Sequence, residues 1–197
     1  MQVDYYYTLM SPWAYFGAAR FYDLQKKYKF KINHQPLDII ELFSLSGGLP
    51  LAKRSEQRKI YRIMEINRWS KKLNIPINVS PKYFPPPNVS KASAMILAIE
   101  DQQKQNNFSF ECLKYIWVNE KDISDDKNLL DICSNLNINF EKLLKNIDTK
   151  TELYESIAGL ASKKNVFGSP TYVIGKEIFW GQDRLDLFEE YIIKYNS

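Results

Sequence analysis

Apolar and polar residues repeat along the chain with two periods, and these predict where the strands and helices lie. Period-two alternation over residues 2–7, 30–37, 171–174 and 177–180 predicts strands, the last two joined by a turn at Gly175-Lys176. Helical periodicity predicts helices at about 12–27, 55–73, 88–105, 108–119, 126–136, 140–147, 150–163 and 183–195. The segment 75–87 is rich in proline and is predicted to be an extended connection.

The order of these elements indicates the fold class. A β-α-β unit, a block of helices and a final β-β-α unit together predict an α/β, thioredoxin-like fold interrupted by a large all-helical insertion. Residues 1–40 and 160–197 are predicted to form the thioredoxin-like α/β domain, and residues 41–159 the helical insertion. No repeat or low-complexity linker separates the two parts, so we expect them to pack as one unit.

Composition and charge narrow the possible partners. The formal net charge of +4 is too small to indicate nucleic-acid binding. The sequence shows neither a signal peptide nor a membrane-length apolar stretch, so we expect a cytoplasmic protein that does not bind membranes. Lysine and arginine do cluster between Lys53 and Lys72. Most of this cluster is interpreted as a solvated helix face, with one or two side chains as candidates to steer or bind an anionic ligand.

Residue types that carry redox or metal chemistry are scarce. Cys112 and Cys133 are too few and too far apart for a CxxC pair, and they lie in apolar helical patterns, so we interpret them as core residues. The only histidine, His34, lies on the polar phase of a predicted strand without ligand-spaced partners and is interpreted as structural. The sequence predicts no metal site.

The turn before the first helix, TLMSPWAY at residues 8–15, has a serine where a thioredoxin-like redox site has a cysteine. Ser11 suits an N-cap, because proline follows at the first helical position. In the later segment GSPTYV, residues 168–173, the resemblance to a thioredoxin-like site implies that the Ser169–Pro170 bond is cis and faces Ser11. Thiol–disulfide exchange requires a protein thiolate, so Ser11 and Ala14 argue against a dithiol oxidoreductase. The reactive sulfur must then arrive with a ligand, which points to glutathione.

Several motifs distributed over the whole chain carry a specific resemblance. They are SPWAY at 11–15, QRKIYR at 57–62 with RW at 68–69, PKYFP at 81–85, VFGSPTY at 166–172 and FWGQDRLD at 179–186. Each is weak alone, but their order and spacing resemble the 2-hydroxychromene-2-carboxylate isomerase family. That family is related to the kappa-class glutathione transferases and to DsbA-type disulfide oxidoreductases.

The resemblance implies that Ser11 is the catalytic residue. Its hydroxyl would donate to the glutathione sulfur, and the helix N-terminus adds partial positive charge, both of which favour the thiolate. The alternative is that Ser11 is only an N-cap. The resemblance also implies groups that bind the rest of glutathione: the main chain of Ser169 before Pro170 for the cysteinyl part, Gln182 and Asp183 for the γ-glutamyl end, and Arg58 for the glycyl carboxylate.

Structural roles stay open for some of these residues. Pro170 is alternatively an ordinary turn proline, Arg58 a solvated surface residue, and Asp183 the N-cap of the last helix. The expected substrate pocket contains Trp13, Tyr83, Asn88 and Trp180, although Asn88 is first a candidate helix cap. Relatives often have asparagine where this chain has Gly48, which removes a side-chain contact from that loop.

The function implied by the resemblance is that of a glutathione-dependent isomerase. It interconverts 2-hydroxychromene-2-carboxylate and trans-o-hydroxybenzylidenepyruvate in aromatic catabolism by reversible thiolate addition. The implied ligands are glutathione and a small aromatic or conjugated carboxylate, and the implied assembly is a homodimer. Two alternatives use the same frame: a kappa-like glutathione transferase or peroxidase, and a thioredoxin-fold binding protein that lacks the redox cysteines.

Overall fold

Four strands form one mixed sheet in the computed structural model, which describes residues 1–196. They are β1 (Gln2–Tyr7), β2 (Lys31–Pro36), β3 (Thr171–Ile174) and β4 (Glu177–Trp180). Strand β1 is central, parallel to β2 on one side and antiparallel to β3 on the other, and β4 follows β3 at the edge. Gly175 has a φ of +60°, a conformation that glycine adopts without strain, so the predicted hairpin forms.

Nine α-helices complete the fold within residues 1–196. They are α1 (Pro12–Tyr28), α2 (Ile39–Ser46), α3 (Glu56–Leu73), α4 (Ser90–Ala98), α5 (Gln102–Trp117), α6 (Asp126–Asn135), α7 (Phe140–Leu144), α8 (Ile147–Lys163) and α9 (Leu185–Asn196). Helix α1 joins β1 to β2, helices α2 to α8 lie between β2 and β3, and α9 follows β4. The predicted fold class, α/β and thioredoxin-like with a helical insertion, is confirmed.

The two faces of β1 contribute to different cores. On one face the Tyr5 ring stacks on Tyr172 of β3 at 5.3 Å between centroids, and both rings contact Phe21 of α1. Phe188 of α9 closes this core against Tyr172. On the other face Tyr6 packs with apolar residues of α2 and α8. The sheet is therefore covered on both sides, which fixes β1 and the turn that follows it.

Several predicted helix bounds were wrong. The predicted break between the helices 88–105 and 108–119 was misplaced. Helix α4 ends at Ala98 and α5 begins at Gln102, where Asp101 accepts a hydrogen bond from the Lys104 N–H at 2.8 Å. Helix α2 was not predicted, although Asp38 caps it by accepting from Ile40 and Glu41.

The predicted start of the last helix was also wrong. Asp183 lies inside a short 3-10 turn, Gln182–Arg184, and α9 begins only at Leu185. The turn follows Gly181, which has a φ of +110°, a conformation that glycine adopts without strain. Asp183 is therefore not the N-cap of α9.

Helix α8 crosses position 160, where the insertion was predicted to end, and packs against α2, α4 and β2. The division of the chain at positions 40 and 160 stays a prediction. None of the helices in residues 1–196 combines the length and the apolar character that crossing a membrane requires.

His34 is structural, as the sequence indicated, but its predicted place on the polar phase of β2 was wrong. It is 2% exposed and shares the buried face of β2 with Ile32. Its Nδ1 lies 2.9 Å from the Tyr7 hydroxyl and its Nε2 lies 2.8 Å from Oδ1 of Asn106. Burial lowers the pKa of His34 to about 4, although the hydrogen bond to Asn106 acts in the opposite direction. The neutral ring then donates from Nε2 to Asn106 and accepts at Nδ1 from Tyr7.

Candidate active site

The N-terminus of α1 presents a hydroxyl next to the sheet. Ser11 caps the helix, since its Oγ accepts from the Ala14 N–H at 3.1 Å and Pro12 occupies the first helical position. The Ser11 hydroxyl also donates to the main-chain oxygen of Ser169, at a long distance of 3.4 Å. Ser11 is only 7% exposed. This hydroxyl therefore lies in partial positive potential and has one weak acceptor that another acceptor can replace.

The segment opposite Ser11 is the one that the sequence predicted. The Ser169–Pro170 bond is cis, and Ser169 lies half-buried across from the α1 turn. Within residues 1–196 no main-chain hydrogen bond uses the Ser169 N–H. The Ser169 side chain does something that sequence reasoning missed, because its Oγ accepts from the Thr8 N–H at 3.0 Å. One hydroxyl thus ties the end of β1 to the loop before β3.

Gln182 is buried against α1 although it is polar. It is 2% exposed, and Oε1 accepts from Nη1 of Arg20 at 3.0 Å. Arg20 also donates to the Gln182 main-chain oxygen and to Asp186, each at 3.3 Å. A guanidinium has no acceptor, so this contact turns the Gln182 oxygen toward Arg20 and leaves the amide NH₂ as a donor for another group. Sequence reasoning missed Arg20, since no local motif marks it.

Glycine at position 17 permits this close approach. A Cβ there would lie 2.7 Å from the Tyr172 hydroxyl oxygen and 3.0 Å from Cβ of Gln182, both too close for unshifted packing. Gly17 and Arg20 are three residues apart, so they lie on the same face of α1. This face therefore receives the Gln182 turn while Ser11 caps the end of the same helix.

Asp183 lies beside Gln182 with its side chain 40% exposed and paired with Arg184 at 3.1 Å. The structure thus brings Ser11, Ser169, Pro170 and Gln182 to one edge of the sheet, with Asp183 at its outer rim.

A cavity of about 340 Å³ lies between the start of α1 and α3. It contains two of the predicted residues, Trp13 and Arg58, and is lined by Trp13, Arg54, Gln57, Arg58, Tyr61, Arg62 and Glu65. Trp13 belongs to the first turn of α1, two residues after Ser11, although Ser11 itself does not line the cavity. Sequence reasoning treated most of the basic cluster as solvated and did not single out Arg62.

The other three residues of the predicted substrate pocket do not line this cavity. The Lys82 ammonium lies over the Tyr83 ring at 5.1 Å. Asn88 is exposed and accepts from the Ser90 N–H at 2.7 Å, but the N-cap of α4 is Val89, so the prediction that Asn88 caps this helix was wrong by one position. Trp180 is 52% exposed and packs on Phe167, with ring centroids 4.7 Å apart.

Local packing explains why position 48 is a glycine. A Cβ at this position would overlap the Phe43 ring, and the Arg54 guanidinium lies 5.9 Å from the centre of that same ring. An asparagine at position 48 therefore has no room while Phe43 keeps its place. Phe43 occupies the space and supports an arginine of the cavity wall.

A family model for the DsbA-like thioredoxin domain matches residues 2–193. The chain belongs to the DsbA-like thioredoxin family. It is 24% identical to a 2-hydroxychromene-2-carboxylate isomerase of Sphingobium xenophagum, with 97% of each chain covered. A solved 2-hydroxychromene-2-carboxylate isomerase superposes with a TM-score of 0.85 at 21% identity, over 99% of this chain and 96% of that chain. The predicted resemblance to these isomerases is thus confirmed.

A second solved structure is more distant. The cytosolic disulfide reductase DsbM from Pseudomonas aeruginosa, determined with GSH, has a TM-score of 0.71 at 12% identity, over 99% of this chain and 98% of that chain. At this identity the similarity concerns the fold alone.

This DsbA-like chain has no thiol near Ser11. Cys112 and Cys133 are both free and buried in the core around α5 and α6, as predicted. Burial raises the pKa of Cys112 well above its usual range and that of Cys133 to about 12. Both side chains are therefore protonated thiols at neutral pH, and neither is suited to thiol–disulfide exchange.

Proposed function

We propose that this protein is a glutathione-dependent isomerase that interconverts 2-hydroxychromene-2-carboxylate and trans-o-hydroxybenzylidenepyruvate. The observation that carries the proposal is the Ser11 hydroxyl at the N-terminus of α1, opposite the Ser169 main chain. This arrangement has the backbone geometry of a thioredoxin-like redox site, but a serine hydroxyl stands in place of the cysteine thiol. The names of the isomerase relatives support the choice of substrate.

The groups around Ser11 fit the charges and polar groups of glutathione. The Ser169 N–H and C=O suit the peptide part, and the Ser11 hydroxyl lies where a sulfur would need a donor. Arg20 leaves the Gln182 amide NH₂ free to donate to a carboxylate, and Asp183 beside it suits an ammonium. Arg58 offers a planar fork to the second carboxylate.

When bound, glutathione supplies a thiolate that adds to the conjugated double bond, permits rotation about the resulting single bond and then leaves. A free thiol of this kind has a pKa near 8.5 and is mostly protonated at neutral pH. Ser11 favours the ionised form by donating to sulfur, and the α1 N-terminus adds partial positive charge. The Ser11 hydroxyl gives up only the long 3.4 Å bond to Ser169 when it turns.

Assay of the purified protein against 2-hydroxychromene-2-carboxylate tests the proposal. We expect conversion only when glutathione is present, with the glutathione concentration unchanged after many turnovers. S-methylglutathione, which has no thiol, should support none. Loss of one glutathione per product would instead indicate a kappa-like transferase, and absence of glutathione binding by calorimetry would favour the binding-protein alternative. The homodimer and the cytoplasmic location remain further proposals from the resemblance.

A further inference from the structure

Three arginines line one side of the cavity between α1 and α3. Arg54 precedes α3, and Arg58 and Arg62 follow at intervals of four residues, which places the two helical residues on one face. Across residues 1–196 no carboxylate pairs with any of the three. Glu65 also lines the cavity but pairs with Arg68 at 2.6 Å. The wall thus has an excess of positive charge that the protein itself does not neutralise.

Arg62 is the most enclosed of the three. Its guanidinium lies 5.5 Å from the centre of the Phe84 ring and 5.8 Å from that of Trp117, and Trp117 is fully buried. Burial and, to a smaller extent, Arg54 lower the pKa of Arg62 to about 10. The group therefore keeps its charge at neutral pH but is poorly solvated, so a bound anion would be favourable.

The other two arginines differ in their surroundings. Arg54 already donates from Nε to the Leu49 main-chain oxygen at 2.8 Å and rests on Phe43. Arg58 is exposed and is the residue proposed for glutathione. Within residues 1–196, Arg62 is half-buried against two aromatic rings and makes no hydrogen bond or ion pair, while Arg54 adds a second positive charge nearby. It is therefore the arginine of this wall with the strongest need for an anionic partner.

The cavity suits a small ligand with aromatic and anionic groups. A volume of about 340 Å³ is at the lower end of small-molecule sites. Trp13 and Tyr61 provide aromatic faces beside the arginines, and Trp13 lies two residues from Ser11. A ligand with an aromatic or conjugated body and one carboxylate can thus contact the aromatic rings and the arginines of this cavity together.

We propose that Arg62 binds the carboxylate of the isomerase substrate and selects anionic electrophiles over neutral ones. The inference rests on the proposed function, since it assumes that Arg58 is used by glutathione. It assigns the two arginines to different ligands. Arg62 is then a specificity-determining residue, because a neutral electrophile of the same shape gains nothing from the guanidinium.

Binding of two probes of equal shape and different charge tests this assignment. trans-Cinnamate carries a carboxylate, and trans-cinnamamide is its neutral counterpart. Calorimetry on the full chain, with and without saturating glutathione, should show cinnamate binding at least about tenfold more tightly, as expected for a charge-assisted pair. R62Q should abolish this preference and leave the Kd for cinnamamide within twofold of the native value. R62K should keep part of it, since lysine retains the charge without the planar fork.

Two control variants separate the arginines. R58Q should weaken glutathione binding and preserve the cinnamate preference. K71Q removes an exposed cation from the same helix and should change neither. Equal affinity of the native protein for both probes would overturn the proposal, as would loss of the preference in R58Q rather than in R62Q. Failure of glutathione to bind would instead overturn the proposed function, while the probes alone would still test Arg62.

Discussion

Helices α1 and α3 are almost equally long, at 17 and 18 residues, yet the protein uses them in opposite ways. Helix α1 has eight buried residues, whereas α3 has one, Ile66. The caps differ as well. Ser11 bonds the first turn of α1, but Ser55 at the start of α3 makes no side-chain cap bond. One helix is fixed by the core, and the other is held at few points and presents long polar side chains.

This difference divides the candidate site into two walls. The α1 wall is built from a hydroxyl, main-chain groups and a glycine contact, all set by core packing. The α3 wall is built from arginines, whose long side chains line the cavity. Substitutions in the first wall should therefore affect stability and chemistry together. Substitutions of exposed residues in the second, such as Arg58, should affect ligand binding with little change in stability.

Replacement of Ser11 by alanine should have the largest effect. We expect kcat to fall about 10²–10³-fold, the loss typical of one preorganised donor to a developing anion. The lost cap should also lower the free energy of unfolding by about 1 kcal/mol. Steady-state kinetics and urea unfolding measure the two effects. Ser55→Ala is the matched control and should change neither, whereas an active Ser11→Ala enzyme would remove Ser11 from the mechanism.

Acid should weaken the core under α1 through His34. Its pKa of about 4 in the folded protein lies below the unfolded value of about 6.5, so the unfolded chain binds the proton first. The neutral His34 ring thus contributes fully to the free energy of unfolding above pH 6.5. This contribution, about 3 kcal/mol in total, is lost as the pH falls toward 4. Between pH 7 and pH 5, urea unfolding should show that the free energy of unfolding of the native protein falls by about 2 kcal/mol. The His34→Gln variant should not show this fall. Equal falls in both proteins would contradict the assignment.

Gly17→Ala should disturb the α1 wall from within a helix. The added Cβ meets the Tyr172 hydroxyl and Gln182, so we expect a loss of about 1–3 kcal/mol from overpacking. Weaker glutathione binding should accompany it because the Gln182 turn must move. Gly159 in α8 has no neighbouring atom within 4 Å of its Cβ position, and Gly159→Ala should stabilise by up to about 1 kcal/mol. Two variants of equal stability would disprove the close contact.

Asp183→Ala should have the smallest effect. A contact to the remote end of glutathione is mostly uniform binding, so we expect the Kd for glutathione to rise about tenfold while kcat changes less. Stability should change little, because Asp183 does not cap α9. Isothermal calorimetry and thermal unfolding measure these outcomes. Unchanged glutathione affinity would exclude Asp183 from the ligand site.

Local patterns explain which parts of this comparison the sequence predicted. The strands and the hairpin at Gly175 follow from period-two alternation and turn chemistry, and Ser11-Pro12 marks the start of α1. The Arg20–Gln182 contact joins residues 162 positions apart, and no local pattern encodes it. No local pattern encodes the hydrogen bond between the Ser169 hydroxyl and the Thr8 N–H either, since the sequence predicts a role only for the main chain of Ser169. The break at Asp101 was missed because residues 100–107 are all polar, so no apolar periodicity marks where one helix ends and the next begins.

The hydrogen bond from the Thr8 N–H to Ser169 also bears on how the molecule folds. It joins positions 161 residues apart, and β1 pairs with β3 across a similar separation. At about 5–20 residues per second, a ribosome needs roughly ten to thirty seconds to pass from β1 to β3. During that interval β1 can pair with β2, but its other edge stays open and the nascent chain has no complete ligand site. The helices of the insertion all precede β3 in the chain, so they can form before β1 pairs with β3.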